Sequence, residues 1–244
     1  MTPVQLSEWV REELSARVDP VFKEGASLFF KHEVHLHGVR NAQLKPIEQM
    51  VVKTLKGWTR TQQLVFCEDL WRSTTLEEGV IVLHSMRAFR KSFGEDDFRV
   101  FERWLGEYVH NWAHCDGLST WLLAGCISNV PELKRKLEPW QTSRNRWKRR
   151  SAAVSLIPEA KQGRSLHEIS ATAVALSGDK DDMVQKGVGW LLKETYPKNS
   201  ELVVGLLEEH RFPRLVVRYA AEKMSAQDKA RFGLGLKSMG RSMA

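Results

Sequence analysis

At 244 residues, with 42% hydrophobic and 27% charged side chains, the chain can bury a substantial core in one domain or two small ones, and its make-up excludes a disordered or fibrous protein. No apolar run approaches the roughly 20 residues needed to cross a bilayer, so no membrane association is expected. The formal charge is +7, and segment 131–165, with ten basic against three acidic residues, accounts for the whole excess; such a concentrated patch suits phosphate neutralisation.

The N-terminal MTPVQLSEWVREELS is polar and amphipathic. It lacks the apolar stretch of a secretory signal, and a cytoplasmic protein is expected. KHEVHLH at 31–37 places Glu33 among His32, His35 and His37, but it is not HExxH and lacks a third-ligand pattern, so no metal and no cofactor are expected. Apolar residues then recur at spacings of three and four, the helical period: Ile47, Met50, Val51 and Leu55; Leu64, Val65, Leu70 and Trp71; Val80, Leu83, Met86 and Phe89; Phe98, Phe101, Trp104, Leu105 and Tyr108. Thr75 precedes a run over 76–92 with an acidic first turn, and Asp96 is expected to cap a helix over 97–110.

His110-Asn111-Trp112-Ala113-His114-Cys115-Asp116 follows. Trp112 and Asp116 are four apart and share a face if this stretch is helical. The competing structural reading makes Trp112 core and Asp116 the cap of a helix over 117–127. Five of the seven residues Arg144–Arg150 are basic, and they lead through Trp147-Lys148-Arg149-Arg150 into an Ala-rich helix. There they could be solvated surface or could aim an arginine at a phosphate, which guanidinium matches bidentately. After Ile169, Ala173 and Leu176, Asp181 is expected to cap a helix ending near Tyr196. It contains Gln185-Lys186-Gly187-Val188-Gly189-Trp190. Two glycines inside a helix each cost about 1 kcal/mol relative to Ala; they imply a close approach to the backbone, by a ligand or by another helix.

The helical pattern continues through Leu202, Val203, Leu206, Leu215, Val216 and Tyr219. The last nine residues, LKSMGRSMA, are expected to fray. Gly38, Gly57, Gly94, Pro131, Pro139, Gly163, Pro197 and Pro213 fall as breakers between runs. No strand alternation or hairpin turn stands out. Gly233-Leu234-Gly235 lacks the strand of a dinucleotide site, and neither a P-loop nor a GxSxG elbow is present. Cys67, Cys115 and Cys126 are odd in number and widely spaced, which fits buried reduced thiols. The expected fold is all-α: a solenoid of degenerate HEAT-like antiparallel helix pairs over 1–236, with a tail at 237–244.

Several of these pieces together resemble a known family, the AlkD-type DNA alkylation repair glycosylases built from HEAT-like repeats. They are GVR at Gly38–Arg40, Leu70-Trp71 followed by Glu77, Trp112 with Asp116, Trp147 with Arg150 and Ala152, QKGVGW at Gln185–Trp190, and Arg218 with Ala220. They stand in family order over roughly 25–222. The resemblance implies excision of N3- or N7-alkylated purines from duplex DNA. It implies Trp112 and Trp190 as aromatic groups facing the deoxyribose, Asp116 as the catalytic carboxylate, and Arg150 and Lys193 as phosphate contacts. Arg144, Arg146, Lys148, Arg149 and Lys186 are added as DNA contacts on charge and position. The sequence departs from the family pattern at Phe29, where a Tyr is common, at Ala113, where an Asp is common, and at Pro158, where a Lys is common. A monomer acting on alkylated duplex DNA is expected. The alternatives are a non-catalytic helical-repeat module that grips nucleic acid through 131–165, and a protein-interaction solenoid.

Overall fold

The computed structural model describes residues 1–30 and 33–234, all of them helix, turn or loop with no strand. Lys31, His32, Gly235 and the tail from 236 onward, on which some of the expectations fall, lie outside the described residues. The chain divides into two compact units, Met1–Pro131 and Glu132–Ala244. No described helix is long and apolar enough to cross a membrane.

The first unit contains α1 (Pro3–Ser15), α2 (Pro20–Ser27), α3 (Asn41–Leu55), α4 (Arg60–Trp71), α5 (Leu76–Arg87), α6 (Glu95–Glu107), α7 (Trp112–Gly117) and α8 (Ala124–Asn129). Short polar side chains start these helices by accepting backbone N–H groups that have no intrahelical partner: Thr2 with Gln5 at α1, Asp19 at α2, Thr59 with Gln62 at α4 and Asn111 at α7. Helix α6 starts differently from the expectation. Its boundary residue is Gly94, and Asp97, not Asp96, reaches back to accept the Gly94 N–H at 3.0 Å. The run beginning at Thr75 ends at Arg87 and is followed by a short 3₁₀ turn, Arg90–Ser92.

Packing in this unit joins helices that are not all consecutive: α3 lies against α5 and α5 against α7, α1 packs on α4, and α4 on its neighbour α5. This is how a stack of helical repeats buries its faces. Phe66, Trp71, Phe98, Phe101 and Trp104 are fully buried. The Trp71–Trp104 and Phe101–Trp104 ring centroids are 6.1 and 5.4 Å apart, typical of offset or tilted aromatic contact.

The second unit opens with a 3₁₀ helix over Pro131–Thr142, where Pro139 sits inside the element rather than ending it. Proline has no N–H to donate in either helix type, and the short i to i−3 turns of this element continue past it. Then come α9 (Arg146–Val154), α10 (Ile157–Ala160), α11 (Leu166–Ala175), α12 (Asp182–Thr195), α13 (Ser200–Glu209), α14 (Arg214–Ala220) and α15 (Ala226–Arg231). Asp181 caps α12 as its position suggests, accepting the Met183 N–H at 2.9 Å. Helix α12 is the centre of this unit, packed on both α9 and α14. Buried Ala152 and Ala153 let α9 come close, and Val184, Val188, Leu191 and Leu192 form the inward stripe of α12.

Candidate functional site

Trp112 and Asp116 fall on α7, in the first unit. The helix does not restart after Asp116: α7 runs through a π-helical turn, Leu118–Leu123, into α8. Asp116 therefore lies within a continuous helix rather than at the start of one, and Asn111 supplies the N-cap one residue before Trp112. The Asn111 carboxamide does two things. Its Oδ1 accepts the His114 N–H at 2.9 Å, and its Nδ2 lies 3.1 Å from His114 Nδ1. The other ring nitrogen, Nε2, lies 2.9 Å from the Leu76 carbonyl at the start of α5. One tautomer satisfies every partner: Nε2–H donates to the carbonyl and Nδ1 accepts from the amide.

That arrangement anchors α7 to α5 at a fixed rotation. His114 is buried with Trp71 set edge-on at 5.0 Å. Burial pushes its pKa down to about 4, so the ring is neutral at physiological pH. Beneath it lies Gly79, where a Cβ would strike the His114 ring and Trp71 Cζ3. With His114 and Cys115 turned inward, Trp112 is left exposed (38%) and Asp116 half-buried, so the i, i+4 pair shares the outward side. One face of Trp112 is already covered: Phe30 stacks on it, with ring centroids 5.6 Å apart and planes at 24°. Neighbouring Phe29, the position of the missing Tyr hydroxyl, is 79% exposed. Thr120 Oγ1 donates to the Asp116 carbonyl and Ser119 Oγ to the Cys115 carbonyl, at 2.7 and 2.6 Å, which satisfies carbonyls at the entry to the π turn.

The GVR and Glu77 pieces are explained by packing in the same unit. Glu77 is buried and its carboxylate accepts the N–H groups of His37, Gly38 and Val39 at 2.9, 2.7 and 3.0 Å. Gly38 has φ +92, and a Cβ there would come within 2.5 Å of Lys23 Cβ, so only glycine fits this turn. In the histidine-rich stretch, the His35 carbonyl accepts from Leu76 N and His37 Nε2 lies 3.1 Å from Glu78.

The remaining expected residues belong to the second unit. Trp190, half-buried, shares one face of α12 with Lys186 and Lys193, while the opposite stripe faces the core. Arg150 of α9 is buried and donates through Nη1 to the Met183 carbonyl. Gly187 makes room for it: a Cβ would lie 3.1 Å from Arg150 Cγ. At Gly189 a Cβ would lie 2.5 Å from Tyr219 Cβ and 2.9 Å from the Val216 carbonyl of α14. Both glycines of QKGVGW thus serve contacts inside the protein.

The cations near Arg150 differ in their engagement. Arg149 pairs with Asp179 at 2.6 Å, Arg146 with Asp181 at 2.8 Å, Lys186 with Asp182 at 3.4 Å and Lys193 with Glu222 at 2.8 Å. Lys148 is half-buried, and Arg144 is exposed. Segment 131–165 is therefore less positive in space than in sequence, because acids from 168–194 come to it. Lys134, for instance, meets Glu168 at 3.2 Å. All three cysteines are free and buried, and burial raises the Cys67 and Cys126 thiols far above their usual range.

Sequence reasoning missed Asn111, His114 and Phe30. Asn111 carried a legible signal, an N-cap residue directly before a helix. Leu76 and Trp71 against His114, and Phe30 against Trp112, lie dozens of residues away and carried none.

Comparison with known proteins bears on what this arrangement serves. The family model described as DNA alkylation repair enzyme matches residues 10–224. No curated protein matches the sequence. A solved structure of a predicted DNA alkylation repair enzyme from Enterococcus faecalis superimposes with a TM-score of 0.78 at 15% identity, covering 86% of this chain and 97% of that one. That likeness shows a shared helical fold, and the match over 10–224 shows that the chain belongs to the DNA alkylation repair enzyme family.

Proposed function

We propose that this family member is a monofunctional DNA glycosylase that hydrolyses the N-glycosidic bond of cationic N3- and N7-alkylpurines in duplex DNA. The observation that carries the reading is the outward pair of α7. An indole and a carboxylate lie one helical turn apart on a helix whose rotation is fixed by Asn111, His114 and Leu76. A helix held only by apolar packing would not need such a polar anchor.

The chemistry suits those groups. An N3- or N7-alkylpurine carries positive charge, so the base departs neutral and needs no strong general acid. As the bond to C1′ breaks, positive charge develops on the sugar. The Asp116 carboxylate stabilises it electrostatically, as a carboxylate does in glycoside hydrolysis. Water adds to C1′, its proton passes to solvent, and an abasic site remains. The free face of Trp112 offers its negative quadrupole to the cationic sugar. Trp190 and Arg150 are assigned to the same reaction on the family pattern, as second aromatic and phosphate contact. No step calls for a metal or a covalent lysine.

The test is release of 7-methylguanine and 3-methyladenine from methylated duplex DNA. Wild type should release both. Asp116→Asn should release them at least about a hundredfold more slowly while binding the same duplex as tightly. Equal release by Asp116→Asn removes the assignment. Tight, salt-sensitive binding by wild type without any release replaces it with the binding-module reading.

A further inference from the structure

The first unit carries a charged feature of its own, apart from segment 131–165. Helices α3 and α5 flank a groove of about 370 Å³ bordered by Lys45, Lys53, Lys56 and Arg87. All four are exposed. We propose that this groove is a phosphate-binding site that grips the sugar-phosphate backbone of duplex DNA, with Lys53, Lys56 and Arg87 as its main contacts.

Three observations carry the proposal. The first is the pattern of ion pairing. Several other surface cations of this unit draw carboxylates: Arg17 takes Glu13, Arg99 takes Glu95 and Asp96, and Arg103 takes Glu107; exposed Arg72, Arg90 and Lys91 pair with none among the described residues, but none of them borders this groove. Among the described residues no carboxylate pairs with the four groove cations. The one acid in the groove, Glu48, is engaged by His84 Nδ1 at 2.9 Å.

The second is the cost of that pattern. Lys53 and Lys56 are one turn apart on α3, and like charges at that spacing repel by a few tenths of a kcal/mol. Their positions i±3 and i±4 hold Gln49, Met50, Val52, Gly57, Thr59 and Arg60, with no acid to relieve it. Bound phosphates would.

The third is the posture of Arg87. Its guanidinium lies 4.8 Å over the Trp121 ring, and His84 meets the same ring edge-on at 4.8 Å. A stack restrains the guanidinium without neutralising it, and leaves its N–H groups for a phosphate. Trp121 belongs to the π-helical turn that follows α7, so two groove residues, His84 and Arg87, touch the continuation of the helix that bears Asp116. From Lys45 to Lys56 the helix rises roughly 16 Å, which matches on the order of five phosphates along one strand.

The proposal rests on the chain holding duplex DNA, and its test is separable from base release. Full-length protein is titrated onto an unmodified duplex over a KCl series. Lys53→Gln/Lys56→Gln/Arg87→Gln should flatten the slope of log K against log salt by about 2 to 3, at about 0.9 per lost phosphate contact. Binding at low salt should weaken at least tenfold, with an unchanged thermal midpoint. Lys53→Arg/Lys56→Arg should bind as wild type, and Arg87→Lys, which cannot keep the stack, should fall between. An unchanged slope and affinity in the triple variant overturns the groove alone. A wild type that binds no duplex at low salt overturns both the groove and the glycosylase. A groove-dependent slope with no base release keeps the groove and removes the glycosylase.

Discussion

His114 shows how a residue outside the chemistry can control it. It is neutral, buried and bonded at both ring nitrogens, and through Nε2 it bonds the start of α5 directly. Its pKa is lowered, chiefly by burial, to about 4, against 6.5 for an ordinary histidine. The unfolded chain therefore takes up a proton near pH 6.5 that the folded chain refuses until about pH 4. Stability from this group is complete above 6.5 and is lost as pH falls through that window. Urea midpoints between pH 7 and 4.5 should fall, and His114→Gln should flatten that fall while lowering stability throughout. Equal slopes in the two proteins would contradict the neutral, doubly bonded ring. The spacing of Trp112 and Asp116 was legible in the sequence, because four residues is a property of any helix. The His114 bond to Leu76 and the fit of Gly79 under the ring were not, because they arise only when α5 and α7 meet. Gly187 and Gly189 show the same limit: a close approach to the backbone could be read from the glycines, but not that Arg150 and Tyr219 are what approach.

Among the elements, most helices were legible from apolar periodicity, and α12 from its cap as well; at α4 the inward face was read partly amiss, because Val65 is exposed while Phe66 and Cys67 are buried. The departures have physical causes. The π turn over Leu118–Leu123 adds one residue to a helical turn without altering composition, so no sequence period announces it. It turned a helix expected over 117–127 into the continuation of α7, and so took from Asp116 the capping role open to it. Pro139 was read as a breaker because a proline disrupts an α-helix, but the surrounding element is 3₁₀. Helix α7 is the first six residues of a helical run that the π turn interrupts at Leu118, so its cap fixes the stretch that bears Trp112 and Asp116. Asn111→Ala should cost about 1 to 2 kcal/mol in chemical denaturation and slow base release as well, because α7 loses its anchor. Asn111→Asp keeps the cap oxygen but not the donor to His114, and should recover most of the stability and less of the rate. Rates that track stability alone in both variants would reduce Asn111 to an ordinary cap.

For the whole molecule, the sequence located the charge excess correctly along the chain and misplaced it in space. At least five of the ten cations of 131–165 pair with carboxylates: Lys134, Arg146, Arg149, Lys161 and Arg164, with Asp181 and Asp179 closest among the distant partners. Arg135, Lys136 and Arg144 remain exposed, as do Lys45, Lys53, Lys56 and Arg87 in the first unit. Paired and exposed cations should therefore answer to different measurements. Arg149 is held by Asp179, itself nearly buried, and by the carbonyls of Ser143 and Arg144. Arg149→Gln strands that carboxylate, and breaking such a partly buried pair is expensive, so it should lower the thermal midpoint. Arg135→Gln/Lys136→Gln/Arg144→Gln breaks no ion pair with a described acid. It should leave the midpoint in place and flatten the salt dependence of duplex binding by up to about 0.9 per residue. Joined to the groove substitutions it should add to their effect on log K, because counterion release sums over contacts. If the exposed triple variant binds with the wild-type slope, the second unit reaches DNA through its paired cations instead, and the ion pairs to Asp179, Asp181 and Glu222 must then open on binding.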